Sequence, residues 1–215
     1  MTGATGRARS NSSQAQGKTV EGNVAQRCGR RSLLLPLLLI STTALTAPAL
    51  SASVNWSGGT SADWFVAGNW SGSAVPTASD TVTIDNSSNN PVIGAAGAVA
   101  SIVSLGSTAT TSTLTIQNGG TLSTVSGYDA VGDAAGSTGT VSVAGTGSTW
   151  ANSYGILLGT YGTGAVNVSG GGAVTSGDLH LGRMASGEGT ATIDGVASSW
   201  TATGPVNVGY SGIVT

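Results

Sequence analysis

The sequence predicts an all-β chain wound as a single-stranded parallel solenoid of about 25 residues per coil, with two kinds of coil alternating in 50-residue units. Three observations predict it. The first is composition: 35 of 215 residues are glycine and only 7% are charged, against roughly 25% in an ordinary soluble domain. Gly, Ser and Thr at this density are poor helix formers. Low charge with 39% hydrophobic residues is unlike a solvated disordered chain, and glycine without a three-residue period excludes collagen. The second is local: short stretches alternate apolar and small polar residues between glycines, as strands with one buried face do. The third is internal repetition at fixed offsets.

Gly139–Trp150 (GTVSVAGTGSTW) returns as Gly189–Trp200 (GTATIDGVASSW), an offset of 50, which also carries Leu158-Gly159 onto Val208-Gly209 and Val131-Gly132 onto Leu181-Gly182. Leu114–Leu122 returns as Val166–Val174 at an offset of 52. Each unit halves again. Ile116, Val143, Val168 and Ile193 are spaced by 27, 25 and 25 residues, and Val131, Leu158, Leu181 and Val208 by 27, 23 and 27. Leu122, Trp150, Val174 and Trp200 form a third series. If each coil makes one circuit, equivalent residues stack ~4.8 Å apart in parallel pairing, and each series becomes a vertical apolar ladder. An antiparallel sandwich would explain the alternation but not this register.

The elements follow in order. Residues 1–52 read as a leader ending in a secretory signal peptide: Arg30-Arg31, the apolar run Leu33–Ile40 and the small-residue stretch Ala44–Ala52, with cleavage expected after Ala52 or else Ala49. The run is too short for a permanent membrane span of ~20 residues. General secretion is the expected route, although the arginine pair also suits a twin-arginine signal. Cys28, the single cysteine, lies on the leader side of that cut, so the mature chain is expected to lack disulfides and thiolate metal sites. Residues 53–112 lack the repeat and read as a Trp-rich N-terminal cap with the first coils. Trp56, Trp64, Trp70 and Phe65 suit the task of covering the apolar end of a solenoid. Residues 113–215 are β-helix repeats that end mid-repeat. The first corner of each coil is Gly-Gly-Thr-Leu or Gly-Gly-Ala-Val in one kind, and Gly-Ser-Thr-Trp or Ala-Ser-Ser-Trp in the other.

Charge narrows the partners. Six of the seven basic residues precede residue 32; from Ser53 onward one arginine, Arg183, faces eight acids, a balance of about −7. That sign argues against nucleic acid and against adhesion to anionic lipid. For chemistry, His180 is the sole histidine, flanked by Asp178 and Arg183. In Gly177–Gly182, Leu179 and Leu181 point inward, which sends Asp178 and His180 outward as ordinary surface residues rather than members of a water-excluding triad. The scattered acids do not form the carboxylate pair of a glycosidase. No calcium nonapeptide or phosphate loop occurs. Catalytic, cofactor and metal sites are therefore expected to be absent. Trp150 and Trp200 are expected in the third inward ladder rather than on a sugar-stacking surface. The outward rows Thr113, Thr115, Thr140, Ser142, Thr190 and Thr192, interrupted by Ala165 and Asn167, read as a solvated β face.

The tryptophan-rich opening (W...DW...NW...VP..D.VTI) and the tandem G.V.V.G.GS.W......L.LG..G.G units resemble the passenger regions of bacterial autotransporters, the type V secreted proteins, over about residues 54–215. The resemblance implies a right-handed parallel β-helix displayed at the surface of a Gram-negative cell, non-enzymatic, acting as stalk or adhesin toward extracellular matrix, host surface or glycans, without membrane insertion of the mature segment. The alternative is the stalk of an exported enzyme whose catalytic domain lies outside this chain. The sequence departs from the family in lacking its C-terminal membrane barrel, and its end within a repeat leads us to expect a fragment.

Overall fold

The structure, a computed structural model, describes residues 51–85, 88–108 and 110–209. The leader, the signal segment up to residue 50, Cys28 and the closing residues 210–215 lie outside the described residues.

Among the described residues fifteen short strands carry the fold, with one 3₁₀ turn at Ala67–Asn69. β1 (Ser53–Asn55) and β2 (Thr81–Ile84) flank the cap segment. Three coils with separate strands or merged ones follow: β3 (Val92–Ile93), β4 (Ala98–Ala100) and β5 (Ile102–Leu105); β6 (Thr111–Gln117), β7 (Thr121–Thr124) and β8 (Tyr128–Val131); then β9 (Thr138–Ala144) with the long β10 (Thr149–Leu158). β11 (Thr163–Ser169) with β12 (Ala173–Leu181), and β13 (Glu188–Asp194), β14 (Ser199–Ala202) and β15 (Val206–Val208), complete about six turns. Every strand pair is parallel. One face of the solenoid is the sheet β13-β11-β9-β6-β3; β10 and β12 each bend to serve the other two faces in one strand.

The three apolar series stack as the spacing predicts. Ile93, Ile116, Val143, Val168 and Ile193 form one ladder, and Ala98, Leu122, Trp150, Val174 and Trp200 another. The third runs from Ile84 through Leu105, Val131, Leu158 and Leu181 to Val208. Residues 53–112, which carry no readable repeat, nonetheless continue this last ladder. Its steps there are 21 and 26 residues, so one coil shortens while the register survives. Alternation supplies the core: β9 is half-buried and buried at successive positions, with Val141 and Val143 fully inward. In the last described coil Ile193, Val206 and Val208 are about half exposed, since nothing described stacks on them.

The alternation of coil types has a physical cause at the first corner. Ser148 accepts a hydrogen bond from the Gly119 N–H (3.2 Å) of the preceding coil and donates to the Ala144 carbonyl (2.7 Å). Ser198, one unit on, accepts from the Gly171 N–H (3.0 Å). The serine of each Ser-Trp coil thus ties down the glycine corner of the coil before it.

The Leu-Gly pairs close the opposite corner. Gly159 has φ +68°, and a Cβ there would collide with the Glu188 backbone of the next coil. We expect Gly159→Ala to cost more than the ~1–2 kcal/mol of left-handed strain alone, because a backbone carbonyl cannot swing away as a side chain does. Equilibrium urea unfolding measures it; a loss within that strain figure would show that the coils are looser than the ladder spacing requires.

Candidate functional site

Three clusters of polar or aromatic side chains stand out along the solenoid. The first caps its N-terminal end. Trp56, Trp64 and Trp70 are almost wholly buried; Trp70 packs edge-on against both others, with ring centroids 4.8 and 4.6 Å away. Trp70 donates its indole N–H to the Trp64 carbonyl (2.7 Å) and Trp56 to the Asn89 carbonyl (2.9 Å). Buried Asn69 holds the loop: its Oδ1 accepts from the Thr60 and Ser61 N–H groups, and its Nδ2 donates to Ser61 Oγ and the Asp63 carbonyl. The loop then lies along β3, with Val92 N–H donating to the Ala62 carbonyl and Trp64 N–H to the Val92 carbonyl. The three tryptophans are therefore buried in the core at this end of the solenoid.

Where the cap overhangs the ends of β3 and β6, an open cleft of about 480 Å³ remains, lined by Asp63, Phe65, Gly94, Ala95, Gln117 and Asn118 among others. The Phe65 N–H donates to Asp63 Oδ1 (2.9 Å), which ties that carboxylate to the Phe65 backbone. Asn118 sits at a corner with φ +56°. Sequence reasoning missed this cleft, because it joins residues about 50 positions apart in a part of the chain without readable repeats.

The second cluster is internal. Asp129, one of the eight acids in the charge balance that the sequence sets against phosphate and lipid partners, is fully buried and so is no part of the outer surface. Its side chain points into the solenoid because β8 places it in the inward register of Ile156 and Leu179. The carboxylate accepts from the Val103 N–H (2.7 Å), Thr124 Oγ1 (2.5 Å) and the Trp150 indole N–H (3.1 Å). Asn152, also buried, donates to Thr124 Oγ1 (2.9 Å) and to the Gly127 carbonyl (3.0 Å), while its Oδ1 accepts from the Tyr154 and Gly155 N–H groups at the β10 bulge. Burial pushes the Asp129 carboxyl up to about 6, against hydrogen bonds that favour its ionised form.

The third cluster contains the residues first considered for chemistry. Asp178 and His180 do point outward, yet they are half-buried and organised rather than scattered. Gly155 lies between Tyr128 and Asp178 in the stack, and a Cβ there would collide with the Tyr128 ring. Across that gap the Tyr128 hydroxyl donates to Asp178 Oδ2 (2.8 Å), spanning two coil steps. The bond raises the Tyr128 pKa. Tyr154 and His180 pack edge-on to Tyr128 at 5.1 and 5.8 Å, and Asn207 approaches His180 Nδ1 at 3.4 Å. Burial, then the nearby Arg183 charge, lowers the His180 pKa, against the opposing pull of Asp178. The arrangement braces coils laterally. Among the described residues no three His, Cys, Asp or Glu side chains converge as a metal site would require, and no helix is long and apolar enough to cross a membrane.

Comparison with known proteins adds one match. Residues 55–148, from the cap through the coil that ends before Trp150, match a family described as "Domain of unknown function (DUF8693)". Neither the curated proteins nor the solved structures contain a match. The chain is a parallel β-solenoid whose cap and first coils are similar to that family.

Proposed function

We propose that this chain is a non-enzymatic passenger segment, exported by its N-terminal signal and displayed outside a Gram-negative cell as a stalk and adhesive surface. The observation that carries the reading is the uninterrupted stack. Apolar ladders run from the cap to Val208, so each coil is stabilised by its neighbours. Such a rod extends by adding coils and offers long solvated faces, which suits projection and weak multivalent contact. An outer face nearly free of basic residues keeps it off nucleic acid and anionic lipid.

Fusing residues 1–52 to a periplasmic reporter tests the export half. The reporter should leave the cytoplasm and be cut near Ala52. Replacing Leu37–Leu39 with charged residues should abolish both, because the apolar run is what export machinery reads. Export that persists after that change would refute the signal assignment.

A further inference from the structure

We infer that the cleft beneath the N-terminal cap is a binding site for a neutral pyranose ring, presented at the tip of the solenoid. The inference deepens the adhesive reading above and rests on it. The cleft combines an aromatic wall, a floor of small residues and three polar side chains. Phe65 supplies a flat apolar face, and Gly94 and Ala95 leave space beside it. A volume of about 480 Å³ falls within the roughly 300–1,000 Å³ of small-molecule sites.

The polar groups decide the ligand class. Asp63 Oδ1 is held by the Phe65 N–H, and among the described residues no hydrogen bond within the chain engages Asp63 Oδ2, the Gln117 amide or the Asn118 amide. A fixed carboxylate accepts, and two amides both donate and accept. Adjacent hydroxyls on a sugar ring need that mixture, since each both donates and accepts, while the ring's C–H face packs on an aromatic. An anionic ligand has no cation in this lining to meet it and faces Asp63 in a body of about −7. A peptide adding itself as a strand meets an occupied edge, because the Ala62 carbonyl and Trp64 N–H already pair with Val92. A metal ion would need more converging carboxylates than the one present.

Saturation-transfer difference NMR on the full chain, with N,N′-diacetylchitobiose, maltotriose and 3′-sialyllactose as probes, tests it. We expect transfer to ring protons of at least one neutral sugar and at least tenfold weaker binding of the sialylated one. Phe65→Ala should remove the signal. Because Phe65 also packs on the core, the double variant Gln117→Ala/Asn118→Gly is the decisive one. It touches exposed or half-exposed groups, and glycine accepts the positive φ of Asn118. It should keep the wild-type melting temperature and weaken binding at least tenfold. No transfer to either neutral sugar, preference for sialyllactose, or undiminished binding by the double variant overturns the assignment. Any of these, with export of residues 1–52 intact, leaves the display role standing and removes only the sugar site.

Discussion

Replacing Trp150 with Ala should lower the unfolding free energy by about 3–5 kcal/mol, the range for deleting a large buried aromatic. Trp150 is 1% exposed and stacks between Leu122 and Val174, so its removal opens a void in the middle of a ladder. The loss goes beyond volume. The indole N–H is one of the donors to Asp129, and its removal leaves a buried carboxylate with fewer partners. Against a total stability of roughly 5–15 kcal/mol for a typical domain, this change alone brings the fold near its limit. Chemical denaturation of parent and variant measures it. The parent indole should emit to the blue and resist acrylamide. A variant that melts with the parent would reopen the surface reading of this tryptophan.

The second large effect is a dependence on pH carried by Asp129. Its folded pKa of about 6 stands above the ordinary 3.8, so the folded state holds a proton more tightly than the unfolded chain between those values. Stability from this group is therefore full below the unfolded value and falls as pH rises through the folded one, the reverse of a salt-bridged carboxylate. The shift corresponds to about 3 kcal/mol in full, lost as pH rises from well below 3.8 to well above 6. Asp129→Asn keeps the shape, removes the titration and should flatten the profile. The difference between the two pH profiles isolates the group from the general easing of charge repulsion in acid. Parallel profiles would mean that the site stays hydrated or neutral throughout.

Both predictions turn on what could be read in advance. The ladders through Ile116, Leu122 and Val131 were legible because each position recurs in a narrow range of spacings and alternates with small polar residues. Trp150 was legible for the same reason, being in register with Leu122 and Val174. Asp129 was missed by counting it as charge rather than placing it in register, where Ile156 and Leu179 mark its position as inward. The continuation of the ladder through Ile84 and Leu105 was hidden by the shortened coil and by the cap inserted between β1 and β2. The brace from Tyr128 to Asp178 was hidden because it skips a coil, and the vacant space over Gly155 that permits it is visible only in three dimensions. The cleft at Phe65 required two segments without shared periodicity to meet. Periodic packing was thus readable from spacing, whereas contacts that break the period were not.

The central claim is the in-register parallel stacking of coils, and cysteine cross-linking tests it most directly. On a Cys28→Ser background, Ser142→Cys with Asn167→Cys places two outward thiols on directly paired positions of β9 and β11. Neighbouring strands lie ~4.8 Å apart, within the roughly 4.4–6.8 Å that a disulfide spans. Thr115→Cys with Asn167→Cys lies two steps apart in the same row, through Ser142, at ~9.6 Å by that spacing. Mild oxidation should close the first pair within the folded monomer and leave the second open. Closure of the second pair, or failure of the first with both thiols reactive, would contradict the solenoid.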